Sequence, residues 1–275
     1  MLSTPPTLHA YMGYQYFDEG PISLRPTVIC LHGMLGEPAN WSHTLSHLAA
    51  NGFRVLVPAL PIYDLSLDQS SVSGLMQYIR SFLDTLGANP VVLMGNSLGG
   101  HVALLYALAF PECTSALVLS GASGIYEVEM GTSTMRRKDR DFIRERAART
   151  FFSPHHASDH LVDRVYEIVN DRSRALRLIT MARSVLRENI ANRLARITAP
   201  TLLLWGREDS ITPPDVAETF RRRLPCAQLF FLDHCGHAPM IEHPDGFNRR
   251  LLSFLKHLPR QKSESTAACR ILPVA

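Results

Sequence analysis

The chain contains no run of 18 apolar residues, so no segment reads as a membrane-spanning helix. Its start, Met1-Leu2-Ser3-Thr4-Pro5-Pro6, lacks the basic-then-apolar order of a signal peptide. Cysteine is sparse: five residues, at 30, 113, 226, 235 and 269, with no C-x-x-C pair. An odd count without paired spacing argues against a disulfide framework and for a reducing compartment, so the cytoplasm is the expected location. There is no internal repeat. Charged residues are only 19% of the 275 and the net charge is +3, and no nucleic-acid partner is expected. His156 and His160 are four apart, a spacing that suits metal ligands on one helix face. They lack a third ligand in a known motif, so no metal and no cofactor is expected.

What is present is a 46% hydrophobic composition, enough for one sizeable core. Apolar strand-like runs at 27–31, 54–57, 91–94, 116–119, 201–205 and 228–232 alternate with helical patterns at 41–51, 72–86, 98–110, 214–223 and 244–257. That alternation predicts a parallel sheet covered by helices. The tyrosine-rich segment 11–16 is expected to form an antiparallel pair with 22–24 at one edge. About 80 residues separate the strands at 116–119 and 201–205, far more than a crossover needs, and they read as a helical lid. The expected organisation is a core in two parts, 1–121 and 198–258, a lid at 122–197 and a flexible tail at 259–275. Residues 135–196 carry 15 Lys plus Arg against 8 Asp plus Glu, net +7, which leaves −4 for the rest. A solvated helical face laced by i,i+4 ion pairs explains that basic balance, with attraction of an anionic substrate as the alternative.

The chemistry concentrates at Gly95-Asn96-Ser97-Leu98-Gly99-Gly100, directly after the apolar run Val91-Val92-Leu93-Met94. A serine flanked by glycines at −2 and +2, between a strand and a helix, is the pattern of a sharp turn that lifts Oγ above a sheet. A serine nucleophile needs a base, an acid that orients the base, and donors for the oxyanion. The expected base is His237, in a loop after the last apolar run, with His234 and His243 read as ordinary loop residues. The expected acid is Asp209, after the strand 201–205, in preference to Glu208, which reads as a solvated turn carboxylate, and to Asp215. Thr212 is the expected N-cap of the next helix. The N–H groups of Leu98 and Met34 are the expected oxyanion donors, and His32 is read as a structural histidine bonded to nearby backbone. Walls of an apolar pocket are expected from Leu35, Ile125, Tyr126, Met130 and Met240, with Phe142, Phe151, Phe152 and Val185 as further candidates. Cys235 reads as a small loop residue.

Four blocks, His32-Gly33, Gly95-x-Ser97-x-Gly99-Gly100, Trp205-Gly206-x-x-Asp209 and Cys235-Gly236-His237, resemble those of the α/β-hydrolase superfamily, over about residues 8–258. The resemblance implies an α/β fold: a mostly parallel eight-stranded sheet with helices on both faces and a helical lid. Fold alone does not fix the reaction. A serine in the elbow excludes the dehalogenases and epoxide hydrolases of this superfamily, which attack with Asp. The first expectation is a serine hydrolase that cleaves carboxylic esters of small or medium acyl chain through an acyl-enzyme on Ser97. The alternative is a C–C bond hydrolase of the meta-cleavage product type. Its elbow, its Cys-Gly-His block and the turn Gly121-Ala122-Ser123-Gly124 are similar to those here. In that alternative a lid arginine, Arg187 with Arg183 or Arg177 on the same face, would pair with the substrate carboxylate. The chain departs from those enzymes at Ala238, where they commonly carry Trp. A binding-only receptor or scaffold is a third reading, disfavoured by the complete set of Ser, Asp and His. The substrate is a small molecule in every enzymatic reading, and the chain is a monomer or a homodimer.

Overall fold

The computed structural model describes residues 6–128 and 136–258; Met130 and the expected tail lie outside them. The eight strands are β1 (Leu8–Tyr11), β2 (Tyr14–Glu19), β3 (Thr27–Leu31), β4 (Val55–Pro58), β5 (Val91–Asn96), β6 (Thr114–Ser120), β7 (Thr201–Gly206) and β8 (Ala227–Leu232). They form one sheet in the order β1-β2-β4-β3-β5-β6-β7-β8. The ladders β1–β2 and β2–β4 are antiparallel, and every other pair is parallel. The edge pair differs from expectation. The chain reverses at Met12-Gly13, with Tyr11 opposite Tyr14, and 22–24 is not a strand. Both residues of the turn have positive φ, which is what a tight hairpin requires. Ile22 is left 83% exposed.

Alternation along the central strands sorts the core into two layers, because successive side chains of a strand point to opposite faces. Ile29, Leu31, Leu93, Leu117, Leu119, Leu203 and Trp205 face one cluster, and Val28, Cys30, Val92, Met94, Val118, Leu202 and Leu204 face the other. The first layer is closed by α2 (Val72–Leu86), α3 (Leu98–Ala109) and α7 (Pro214–Arg223). The second is closed by α1 (Ser42–Ala50), α8 (Pro239–Glu242) and α9 (Pro244–Lys256). Helix α2 shows why such segments are helical. Ser71 Oγ accepts from Gly74 N at its start, and Val72, Leu75, Met76, Ile79, Phe82 and Leu83 fall on one buried stripe. Each fully buried side chain of that kind contributes roughly 1.5–3 kcal/mol.

Between β6 and β7 lie α4 (Arg140–Ala148), α5 (Asp159–Asn170) and α6 (Arg172–Arg187). Asp139, Ser158 and Asp171 cap their N-termini through side-chain oxygens. Ile143, Val162, Val165 and Val169 make a small core of their own. Met181 and Val185 of α6 join the main core instead. Among the described residues no helix is long and apolar enough to cross a membrane.

Candidate active site

Ser97 sits between β5 and α3 with φ 53° and ψ −120°, a conformation that L side chains rarely adopt. The glycines around it are steric necessities. A Cβ on Gly95 would lie 2.3 Å from Gly99 C, and one on Gly99 would lie 2.2 Å from Leu31 O. Ser97 is half-buried, and its Oγ has no hydrogen-bond partner among the described residues. Its backbone is held on both sides: Ser97 N donates to Ser120 O at 3.1 Å, and Ser97 O accepts from Ser123 N at 3.1 Å. Leu98 is the first residue of α3, so its N–H has no intrahelical acceptor. Met34 lies in the loop after β3, and Tyr63 Oη donates to its carbonyl at 2.5 Å.

Asp209 and His237 meet, from the loops after β7 and β8. His237 Nδ1 is 2.9 Å from Asp209 Oδ2 and 3.1 Å from Oδ1. The carboxylate also accepts from Ile211 N at 2.9 Å, Thr212 N at 3.0 Å and Thr212 Oγ1 at 2.9 Å. Thr212 is therefore not a helix cap, as its position before Pro213 and Pro214 had suggested. Its hydroxyl is committed to Asp209, and α7 starts without a side-chain cap. Because Nδ1 donates to Asp209, the neutral imidazole carries its lone pair on Nε2. Burial pushes the His237 pKa down. The charge and hydrogen bond of Asp209, with smaller contributions from Glu127 and Glu242, outweigh that and leave it above the ordinary histidine value.

The loop bearing His237 is anchored by residues whose role there no sequence motif indicated. Asn96 Nδ2 donates to both Ser120 O and His237 O at 2.9 Å, which ties the elbow to this loop. Glu242 Oε1 accepts from Gly236 N at 2.9 Å and Ala238 N at 3.3 Å, while Oε2 accepts from Phe152 N at 2.7 Å. Glu208 is exposed, as a solvated turn carboxylate should be, and its Oε2 also accepts from Cys235 N at 2.9 Å. Gly121, at φ 52°, leaves room for the imidazole; a Cβ there would lie 2.7 Å from Nδ1. Cys235 is fully buried and its thiol is pushed up by that burial. His32 is bonded to backbone at both ring nitrogens, Nδ1 donating to Gly33 O at 2.9 Å and Nε2 accepting from Leu60 N at 3.1 Å.

A cleft of about 470 Å³ opens between residues 124–127 and the end of α6, lined by Ile125, Tyr126, Glu127, Val185, Leu186 and Asn189. The segment carrying residues 124–127 is bonded to Ser97 O through Ser123 N at one end and to the acid loop at the other, where Val128 N donates to Ile211 O at 2.8 Å. Two expected wall residues, Ile125 and Tyr126, therefore line the cleft, as does Val185. Leu35 is 37% exposed on the loop after β3 and does not line this cleft. Met240 is a core residue, 2% exposed in the layer that holds Trp41 and Phe247. Arg187 and Arg183 are exposed on α6, and Arg177 donates through Nε to Leu65 O at 2.6 Å. The arginine that reaches the loop after β3 is Arg164 of α5. It donates to the carbonyls of Gly36, at 3.1 Å, and Leu35, and lies 3.6 Å from Glu37 Oε2. His156 and His160 part company: the first packs at a tilt against the rings of Phe151 and His155, and the second bonds Glu37 at 3.1 Å.

The family model described as alpha/beta hydrolase fold matches residues 26–244. The chain belongs to the alpha/beta hydrolase family. A 2-hydroxy-6-oxononadienedioate/2-hydroxy-6-oxononatrienedioate hydrolase of Pseudomonas putida is 32% identical, over 84% of this chain and 88% of that protein. One so named from Dechloromonas aromatica is 30% identical, over 84% and 87%. Among solved structures, an alpha/beta hydrolase enzyme from the sediment metagenome of the Mar Chica lagoon, Morocco, is 35% identical. It superposes with a TM-score of 0.75, over 91% of this hydrolase and 98% of that chain.

Proposed function

We propose that this hydrolase cleaves carboxylic esters of small or medium acyl chain, with Ser97 as nucleophile, His237 as base, Asp209 as its orienting acid, and residues 122–197 as the lid over the site. Ser97 Oγ attacks the ester carbonyl while His237 Nε2 takes its proton. The N–H groups of Leu98 and Met34 receive the oxyanion. His237 then gives the proton to the leaving alcohol, and a water repeats the sequence on the acyl-enzyme. The observation that carries this reading is the Asp209–His237 pair, buried and doubly hydrogen-bonded, behind a serine held in a strained turn. The apolar cleft lining favours an acyl chain. The carboxylate of Glu127 in that lining, and Ala238, favour an ester over a dianionic substrate.

C–C bond hydrolysis of a carboxylated dienoate is the second reading. It is favoured by the names of the curated relatives and by Arg164, a half-buried cation beside the Met34 loop. The test is kcat/KM on p-nitrophenyl esters of graded chain length beside a ring-fission dienoate. Turnover that peaks at short or medium esters, without dienoate cleavage, supports the ester reading. Dienoate cleavage with negligible ester turnover overturns it.

A further inference from the structure

Among the described residues, four carboxylates besides Asp209 lie on the segments around the site, and three of them accept hydrogen bonds. Glu208 and Glu242 accept from backbone N–H groups of the His237 loop. Glu188 accepts from Ser73 N at 3.0 Å and from the hydroxyls of Ser73 and Ser184. Glu127 is the exception. Its Oε1 is buried without a hydrogen-bond partner, and its carboxylate makes no ion pair among the described residues. A buried acceptor left unmade costs about 1–3 kcal/mol, and more when charged, so its partner is to be sought in what enters the cleft.

The cleft around it is built to leave that charge uncompensated. Its lining holds no Lys or Arg. Tyr126, an aromatic ring 57% exposed, lines the same cleft, and Val185 and Ile125 supply apolar wall. A carboxylate, an aromatic ring and apolar surface are the groups that bind an alkylammonium. The volume of about 470 Å³ admits a group of that size together with a short acyl chain.

We propose that Glu127 is a specificity determinant that selects esters carrying a cationic, alkylammonium-type group, which it pairs with inside the cleft beside His237. This rests on the ester reading above. The test uses two isosteric thioesters, S-(2-dimethylaminoethyl) thiobutyrate, whose protonated amine carries an N–H donor, and S-(3-methylbutyl) thiobutyrate, which has a C–H in its place. The wild-type protein should prefer the cationic ester in kcat/KM by about tenfold or more, the worth of one charge-assisted contact. In Glu127→Gln the ratio of the two rates should fall towards one; any effect of the substitution on the chemical step is common to both esters and cancels. A wild-type ratio near one overturns the proposal without recourse to any variant, as does a preference that survives in Glu127→Gln. If neither thioester is turned over, p-nitrophenyl butyrate on the same sample decides whether the ester reading fails, and the subsite is decided by calorimetry. Protonated 2-dimethylaminoethyl butyrate should bind the Ser97→Ala protein and lose at least about tenfold in affinity when Glu127→Gln is added. Equal binding, or none to Ser97→Ala, overturns the subsite.

Discussion

At the scale of single residues, the sharpest expectation concerns Ser97. Its hydroxyl makes no hydrogen bond among the described residues, so Ser97→Ala should leave the melting temperature near wild type while hydrolysis falls roughly 10³-fold or more. Circular dichroism and ester turnover on the same sample check both halves; a variant keeping a tenth of the activity would remove Ser97 from the mechanism. Asp209→Asn should cost several orders of magnitude near pH 7, because an amide favours the wrong imidazole tautomer. Glu208→Gln should cost little, since its amide oxygen can still accept from Cys235 N. Two buried histidines give a separate handle. Burial pushes His32 and His101 down to about 4 from an ordinary 6.5. Between these values the unfolded chain binds more protons than the folded one, so stability rises with pH through that window. Each contributes a slope of up to about 1.4 kcal/mol per pH unit. Chemical denaturation at pH 5.0 and 6.5 should show a less stable protein at the lower value. His101→Gln, which can still donate to Glu188 O, should flatten that slope by about one proton. An unchanged slope would mean that His101 titrates alike in both states. The sharp turn at Ser97 and the meeting of Asp209 with His237 were legible in the sequence because each residue lies in a short local block. Asn96, Thr212, Glu127, Glu242 and Arg164 were not, because their meaning is in partners far along the chain. Arg164, for example, meets Gly36, and Glu242 meets Phe152.

At the scale of elements, most strands and helices were read within a residue or two, because apolar runs and 3.6-residue stripes are properties of the segment itself. The edge hairpin was misread for a related reason. The antiparallel pair forms within 8–19, around Met12-Gly13, whereas 22–24 is apolar in composition but has no sheet neighbour. Composition marked a strand where only topology decides pairing. The seating of α3 on the sheet is an element property with a clear lesion. A Cβ at residue 99 collides with Leu31 O and His32 O at 2.2 and 2.8 Å, and both are backbone atoms that cannot swing aside. Gly99→Ala should therefore cost about 3 kcal/mol or more, through overpacking against backbone. Gly87→Ala makes a control: φ is 60° there but nothing lies within 4 Å, so only the conformational cost of about 1 kcal/mol applies. Urea unfolding of both variants measures the difference, and equal losses would mean that α3 shifts freely.

At the scale of the whole molecule, four of the 15 Lys and Arg residues of 135–196 pair with carboxylates of the same segment. Arg140 pairs with Asp163, Arg144 with Asp159, Arg149 with Glu145 and Arg136 with Asp139. These pairs are solvent-exposed, each worth roughly 0–1 kcal/mol, and they make the net charge a poor guide to the substrate. The arginines that could report on the substrate are the exposed Arg187 and the half-buried Arg164. Under either reaction, Arg187→Ala should change kcat/KM less than about threefold, as expected of an exposed charge. Arg164→Ala separates the two reactions. It removes donors to the carbonyls of Leu35 and Gly36, next to the proposed oxyanion donor Met34, so every substrate should suffer through kcat. If Arg164 only positions that loop, the loss is the same for p-nitrophenyl butyrate and for a dienoate. If it also pairs with a substrate carboxylate, the dienoate should lose a further 30- to 1,000-fold, roughly 2–4 kcal/mol for a charge-assisted contact in a desolvated site. The quantity to measure is the ratio of dienoate to ester kcat/KM in wild type and Arg164→Ala. An unchanged ratio leaves Arg164 a positioning residue of an esterase. A ratio that collapses moves this hydrolase to C–C bond cleavage and assigns the anion to α5 rather than α6.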